Sequence, residues 1–566
     1  MEYTMPGSNP PSEVAMADQG EPATKEMDGD TLPMTNKGEH TTEEMNGKTT
    51  PASESSQPLK GFRLFITLLG LCFAVFCVAL DNTIIATAIP YITDQFKNLN
   101  DVGWYGSVYL LTTCAFQLLY GKLYRFFSIK WVFLSGLFIF EIGSLICGVA
   151  PNSISLIVGR AIAGFGSAAI LCGAMIIIAH IVAMERVPVF ISLIGGMYGI
   201  ASVVGPLLGG VFTEKVTWRW CFYINLPLGG FTAVGLVLFL RLPRRDSRRG
   251  LSSMDVFKQL DPVGTLLFVP AIICLLLALQ WAGTTYAWRS WRVIFLFIMF
   301  GLLLIVFIAV QIWKGEAATV PPRIARQRSI AFGAFFAVCL GGTYYIFIYY
   351  LPIWFQAIKG VSPLTSGIDT LPMILGNVLG VISAGALTTR FGYYMPFIFL
   401  SLVFMSIGAG LLTKLQVDSS TAKWIGYQIL FGLGSGWGFQ QTAVAAQTVL
   451  ALVDIPIGTA IMVFIQLLGG AMFVTIAQSV FTNHLVSGIL AIHIPNVNPT
   501  IIVQSGATHL RDAIPSAYLP EVLVAYNAAL VKTFQVALCL ACLSLLGAVG
   551  MEWRSVRNKK IVSAVA

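Results

Sequence analysis

Four glycines and one proline mark the stretch Gly199-Ile-Ala-Ser-Val-Val-Gly205-Pro206-Leu-Leu-Gly209-Gly210, which lies inside a long apolar run. Glycine and proline weaken a helix interior in water. In a membrane they are tolerated, because neighbouring helices satisfy the freed backbone groups and the missing side chains let two backbones approach closely. The stretch therefore predicts a membrane-spanning helix that packs tightly against its neighbours.

The composition of the whole chain also indicates a membrane protein. Of its 566 residues, 56% are hydrophobic and 11% are charged, against about 25% charged residues in soluble globular domains. One span needs about 20 apolar residues. By this length criterion we predict an all-α polytopic membrane protein with fourteen spans. The apolar runs are 62–89, 104–124, 131–149, 154–183, 188–212, 222–241, 262–282, 292–313, 330–351, 365–389, 395–413, 424–451, 457–482 and 528–550.

The segments outside these runs predict the orientation. Residues 1–60 hold 11 acidic and 4 basic side chains without apolar periodicity, a composition typical of a disordered tail. Lys and Arg collect in loops on the same side as that tail, so the positive-inside rule predicts that both termini are cytosolic. The long polar segment 483–527 is then an external loop or lid.

Two motifs recur at nearly equal offsets. The sequence around Gly121 after the second run is echoed around Gly385 after the tenth run, and Gly164-Phe-Gly in the fourth run is echoed by Gly432-Leu-Gly in the twelfth. The repeats predict two six-helix bundles with runs seven and eight inserted between them, and a substrate site at the interface of the two halves. The predicted units are a tail 1–60, a bundle 61–245, two extra helices with linkers 246–328, a bundle 329–552 and a tail 553–566.

Two acidic residues stand inside the spans. Asp81 lies beside Asn82 towards the outer end of the first run, and Glu141 lies near the centre of the third run. A carboxylate in hydrocarbon is costly, so it normally faces the bundle interior or a wet cavity. Each acid is a candidate for proton coupling, and the alternative for each is a structural hydrogen-bonding role.

Arg160 in the fourth run is the third candidate for proton coupling. It shares a helix face with Gly164, so its guanidinium can reach along a bare backbone groove towards a neighbouring helix. A nearby Arg favours the ionised form of a carboxylate and offers a way to release its proton. The sequence does not identify the acid that Arg160 contacts.

Amide side chains in the membrane form the last group of candidates. They either bridge helices or, together with Asn82, line a mostly apolar cavity for amphipathic organic substrates. The candidates in runs twelve and thirteen are Gln440, Gln441, Gln447 and Gln466.

These motifs resemble those of the major facilitator superfamily, in particular its fourteen-span drug/proton antiporters. The resemblance rests on the fifth-helix antiporter motif Gly205-Pro206-x-x-Gly209-Gly210, the first-helix motif Leu80-Asp81-x-Thr83-Ile84, the fourth-helix motif Arg160-x-x-x-Gly164-x-Gly166 and the signature Trp218-Arg219-Trp220-x-Phe222-x-Ile224-Asn225-x-Pro227. One loop departs from the superfamily pattern, because Arg125 stands where the pattern has an acid. The contact that this acid makes in the family, which we call the carboxylate latch, therefore cannot form at Arg125.

The resemblance implies a fungal proton-coupled efflux pump that exports toxins, secondary metabolites or antifungal drugs such as azoles. It implies the plasma membrane, or else a vacuolar or vesicle membrane, and a monomer whose partners are the lipid bilayer, a small organic substrate and protons. No nucleotide-binding, metal or catalytic motif is visible, so we expect neither an enzyme nor a cofactor, and no nucleic-acid partner. The alternatives are a nutrient or siderophore importer on the same fold and a transporter-like membrane receptor.

Overall fold

A computed structural model describes residues 61–97, 101–240, 242, 253–282, 286–492, 514–515 and 517–557. The predicted tail 1–60, most of the basic loop after the sixth run and the last residues of the chain lie outside this part. Within it the chain is nearly all helical, and two isolated β-bridges are the only extended pairings.

Each of the fourteen predicted runs overlaps one long helix in the described ranges. We number them α1 (Gly61–Phe96), α2 (Val102–Phe126), α3 (Ile129–Val149), α4 (Ser153–Ile181), α5 (Val187–Lys215), α6 (Asn225–Phe239), α7 (Pro262–Trp281), α8 (Trp291–Lys314), α9 (Arg328–Trp354), α10 (Leu371–Phe391), α11 (Met395–Leu412), α12 (Thr421–Phe439), α13 (Ile455–Ile492) and α14 (Leu519–Gly550). Short helices at Trp220–Tyr223 and Gln441–Val449 extend α6 and α12.

The all-α membrane prediction is confirmed. Of the helices in the described part of the chain, twelve are long and apolar enough to cross a membrane. The other two are α2, which carries Lys122 and Arg125 near its end, and α12, which is rich in glycine and breaks at Gln440. Both lie between spanning neighbours in the sequence, so the count of fourteen is compatible with the structure.

The predicted external loop 483–527 is shorter in the structure, because α13 runs on to Ile492 and α14 begins at Leu519. Phe481, Leu485 and Ile489 recur at helical spacing and are buried. The ring of Phe481 packs edge-on against Tyr526 of α14, with centroids 5.3 Å apart. The apolar face thus continues beyond the predicted span and holds the two helix ends together. Residues 493–513 of that loop lie outside the described part.

The two halves repeat one packing arrangement. Gly164 and Gly166 bring the backbone of α4 against α2 and α3, and Gly432 and Gly434 bring α12 against α10 and α11 in the same way. Small residues allow this close approach of helices in a membrane. The repeated motifs therefore mark equivalent contacts in two duplicated bundles.

The halves meet through a second pair of equivalent contacts. On the side where α1 begins, which we call the near side, α2 packs on α13 and α10 packs on α5. A Cβ atom on Gly121 would lie 2.7 Å from Cβ of Ala460, and one on Gly385 would lie 2.6 Å from the carbonyl oxygen of Pro188. Each half thus presses the end of its second helix onto the fifth helix of the other half.

The inserted helices α7 and α8 are fastened to the first half by a buried cation. Lys122 of α2 has no exposed surface, and its Nζ donates to the carbonyl oxygens of Gln259 at 3.4 Å and Ala317 at 3.2 Å. These two carbonyls precede α7 and follow α8. Asp261 caps α7 and accepts a bond from Lys314 at 2.7 Å, which joins the beginning of α7 to the end of α8.

Candidate functional site

A buried ion pair joins α1 and α4 in the first half. Arg160 Nη1 pairs with Asp81 Oδ2, and neither side chain is exposed. Arg160 Nε also donates to the carbonyl oxygen of Tyr105 at 2.9 Å, and the guanidinium lies 4.4 Å from the ring centroid of Tyr109. Asp81 is the acid that the sequence could not assign to Arg160.

A residue that sequence reasoning missed completes this group. Asn225 at the start of α6 donates from Nδ2 to Asp81 Oδ1 at 3.3 Å and to Ser144 Oγ of α3 at 3.2 Å. Its only signal in the sequence was its place in the family signature that begins at Trp218. Asp81 also does not stand at the outer end of its helix, since α1 continues to Phe96. The pair on α1 and α4 is therefore held by residues of α2 and α6, and α3 supports Asn225.

Glu141 lies near this group without joining it. It stands one turn before Ser144 on α3, and its carboxylate occupies the space that a side chain on Gly229 of α6 would fill. Both carboxylate oxygens are buried, and no described residue donates a hydrogen bond to either one. A carboxyl group without a donor is more stable in its protonated, neutral form.

Two glycines of the predicted antiporter stretch bring α5 onto α1. A Cβ atom on Gly205 would overlap the hydroxyl of Thr83, and one on Gly209 would overlap the hydroxyl of Thr87. The Thr83 hydroxyl also donates to the carbonyl oxygen of Ala201 at 3.3 Å. These glycines therefore set the spacing between α5 and the helix that carries Asp81.

The other residues of the stretch have different surroundings. Gly199 faces the second half and lies against Val378 of α10, whereas Gly210 has open space where its side chain would be. Pro206 lies inside α5 without ending the helix. Close packing along the stretch is thus confined to three of its four glycines.

A cavity lies between the two halves and is lined by α1, α4 and α5 of the first half and by residues of α9, α12 and α13 and by Gln440, which precedes the α12 extension, in the second. Its wall combines aliphatic, aromatic and amide side chains and contains no charged residue. The lining residues are Val75, Leu171, Met175, Ile194, Gly195, Tyr198, Tyr345, Phe439, Gln440, Val463, Gln466 and Leu467.

The predicted cavity residues divide into two groups. Gln440 and Gln466 line the cavity. Gln441 instead accepts a bond from Thr388 at 3.4 Å, and Gln447 donates to the carbonyl oxygen of Met175 at 3.3 Å, so both join helices. Asn82 is not part of the wall.

An ion-pair cluster bridges the halves on the near side. Arg125 of α2 lies 3.4 Å from Asp454, which precedes α13, and Arg323 lies 2.9 Å from the other oxygen of the same carboxylate. Arg323 also pairs with Glu316 at 3.1 Å, in the linker after α8. Arg125, which stands where the family pattern has an acid, thus pairs with an acid of the other half.

Comparison with known proteins agrees with this geometry. A family model described as "Major Facilitator Superfamily" matches residues 71–474. The chain is 55% identical to "Efflux pump aflT" of Aspergillus parasiticus, over 90% of this chain and 99% of that protein. It is 54% identical to "MFS-type efflux pump MFS1" of Arthroderma benhamiae (91% and 96%) and 50% identical to "Efflux pump roqT" of Penicillium rubens (89% and 94%).

Solved structures with the same fold are more distant in sequence. The proton:xylose symporter XylE superposes with a TM-score of 0.54 at 13% identity, over 86% of this chain and 94% of that one. The human organic anion transporter MFSD10 superposes with a TM-score of 0.55 at 11% identity, over 85% and 100%. With the family match, the duplicated bundles and the close relatives in agreement, the chain belongs to the Major Facilitator Superfamily.

Proposed function

We propose that the protein is a proton-coupled efflux transporter of the plasma membrane, with both termini in the cytosol. It exports amphipathic small molecules, such as fungal secondary metabolites, toxins or antifungal drugs, and leaves them chemically unchanged. The buried pair of Asp81 and Arg160, in a half that also walls the cavity, is the observation that carries this proposal. The protein works as a monomer, and a proton gradient takes the place of a cofactor.

The ion pair can act as a proton-dependent switch. An unpaired buried charge is strongly unfavourable, so the packing of α1 against α4 depends on the charge of both partners. A proton on Asp81 neutralises the carboxylate and leaves Arg160 with the carbonyl of Tyr105 and the ring of Tyr109. Loss of the proton restores the pair. Glu141, near Ser144, is the second acid proposed for the proton path.

The contacts between the halves suit alternating access. On the near side they are close, at Gly121 and Gly385, and the Asp454 cluster adds charge to them. Within the first half, Gly205 and Gly209 tie α5 to α1, so a change at Asp81 is transmitted to a helix that contacts the second half. Rocking of two such halves around a central site exposes the site to one side at a time.

The direction of transport is supported by two observations. The stretch from Gly199 to Gly210 has the antiporter pattern, and the relatives described above are named efflux pumps. An exporter driven by protons moves substrate out as protons move in. An importer on the same fold would move both in the same direction.

The test uses purified protein in liposomes without ATP, with an imposed proton gradient and a panel of labelled azoles and fluorescent aromatic metabolites. We expect at least one panel member to move against its gradient as protons move the other way, and a protonophore to abolish this movement. Empty liposomes and the Asp81→Asn variant serve as controls. Uphill movement that survives the protonophore, or movement in the same direction as the protons, would overturn the proposal.

A further inference from the structure

The wall of the cavity has a specific chemical character. Three aromatic rings reach it from three helices, Tyr198 from α5, Tyr345 from α9 and Phe439 from α12. Phe439 is held by an edge-on contact with Tyr344, with ring centroids 5.2 Å apart. Rings offered from both halves suit a flat ligand, because aromatic groups pair through offset-stacked and edge-to-face contacts.

The electrostatics of the wall favour an uncharged ligand. None of the twelve lining residues is charged, and Asp81 is fully buried and already paired with Arg160. A cation that entered would lose its hydration without meeting a counter-charge. Its attraction to the face of an aromatic ring offsets only part of the lost hydration energy. An anion would meet no cation in the wall at all.

The polar groups of the wall specify what the ligand must carry. The polar groups of the wall belong to Tyr198, Tyr345, Gln440 and Gln466. Gln466 differs, because its Nε2 is buried and no described residue accepts a bond from it. A buried donor without an acceptor is unfavourable, so a ligand oxygen that accepts from Gln466 would be bound preferentially.

We infer that the cavity selects uncharged, flat aromatic molecules that carry a carbonyl oxygen, and that Gln466 is a specificity-determining residue which donates to that oxygen. Tyr198, Tyr345 and Phe439 supply the surfaces on which the ring system lies. This inference rests on the proposed function, since it names the substrate class of the same cavity. It adds a selection rule by charge and by hydrogen bonding.

The test measures binding to the full-length protein in lipid nanodiscs, without a gradient, so that a failure of proton coupling leaves the readout unaffected. Three probes are compared: 7-methoxycoumarin, its 4-(trimethylammonio)methyl derivative and 2-methoxynaphthalene, which lacks the carbonyl. Empty nanodiscs correct for partition into lipid. We expect the neutral coumarin to bind about tenfold more tightly than either of the others.

Two substitutions at one position sharpen the test. Gln466→Leu removes the donor and should weaken coumarin binding about tenfold while leaving naphthalene binding unchanged. Gln466→Glu adds a carboxylate and should shift the preference towards the cationic derivative. The control is Gln416→Leu, since Gln416 lies in an exposed loop outside the cavity.

The outcomes separate this inference from the proposed function. Equal binding of the neutral and cationic coumarins would overturn the charge rule, and unchanged coumarin binding by Gln466→Leu would overturn the role of Gln466. No saturable binding of any probe would overturn the inference as a whole. None of these results bears on gradient-driven export, which is tested separately by the transport assay in liposomes.

Discussion

Asp81 and Arg160 are 79 positions apart in the sequence and form an ion pair in which neither side chain has any exposed surface. Each is the only oppositely charged partner of the other in the described part of the chain. Asn225 bonds the free side of the carboxylate, and Tyr105 and Tyr109 contact the guanidinium. A change in the charge of one partner therefore changes the environment of the other at once.

The first prediction concerns the proton carrier. Asp81→Asn keeps the volume of the side chain but cannot release a proton, so uphill efflux should be abolished while downhill exchange of substrate remains measurable. The variant also leaves Arg160 without a counter-charge, at a cost of about 3–5 kcal/mol. Adding Arg160→Gln should restore much of the thermal stability without restoring uphill transport. Full uphill transport by Asp81→Asn would remove the pair from the proton path.

The second prediction ranks the two acids. Glu141→Gln exchanges one buried polar group that receives no hydrogen bond from the described residues for another of the same volume, so stability should change little. Uphill transport should fall, but less than in Asp81→Asn. Both variants are measured in one proteoliposome preparation, with downhill exchange as the internal reference. A complete loss in Glu141→Gln alone would make Glu141 the principal carrier.

The third prediction compares two neighbouring glycines. A Cβ atom on Gly209 would lie 2.5 Å from the carbonyl oxygen of Ile84, whereas one on Gly210 would have no neighbour within 4 Å. Gly209→Ala should therefore destabilise the protein by about 1–3 kcal/mol and impair transport. Gly210→Ala should be neutral or slightly stabilising, which makes it the matched control. Gly205→Val should also impair transport, because a side chain at Gly205 would overlap the hydroxyl of Thr83. This variant should still reach the membrane. Equal effects at the two neighbouring positions would show that contact between α5 and α1 does not limit transport.

The fourth prediction concerns the near-side cluster. Asp454→Asn removes the counter-charge of Arg125 and one of the two counter-charges of Arg323, so the end of α2 and the beginning of α13 should exchange amide hydrogen faster. Glu552→Gln is the control, because Glu552 pairs with Arg554, 2.6 Å away and within the second half. In a double-mutant cycle, Asp454→Asn and Arg125→Gln should couple by about 1 kcal/mol. Unaltered exchange in Asp454→Asn would mean that the cluster does not hold the halves together.

The sequence predicted the elements that depend on local pattern. The spans follow from apolar length, and the duplicated bundles follow from glycine motifs whose contacts repeat in the structure. Pairings between distant helices could not be predicted from the sequence, because the partner of Arg160 is set by the relative rotation of α1 and α4. The hydrogen bond from Asn225 to Asp81 could not be predicted for the same reason. The wall of the cavity was only partly predictable, since Tyr198 and Tyr345 stand in the sequence as ordinary aromatic residues of apolar runs.

Arg125 shows that the partner of one unusual residue cannot be found from its own loop. Arg125 alone indicated that a contact had been lost, because the family pattern places the acid on that helix. The acid stands instead at Asp454, more than 300 positions further along the chain. A departure from the family pattern in one half can therefore be interpreted only together with the loop of the other half that it contacts.

The buried Lys122 has a consequence for the architecture of the chain. Its ammonium group is satisfied by carbonyl oxygens that belong to the ends of the inserted pair, Gln259 and Ala317. Removal of the segment from Gln259 to Ala317 would take both acceptors from this cation, and it would also take Glu316 from Arg323. A twelve-span version of this protein would therefore have to replace Lys122 in the same step. Through this cation the inserted pair is bonded to the first half as well as joined to it by the chain.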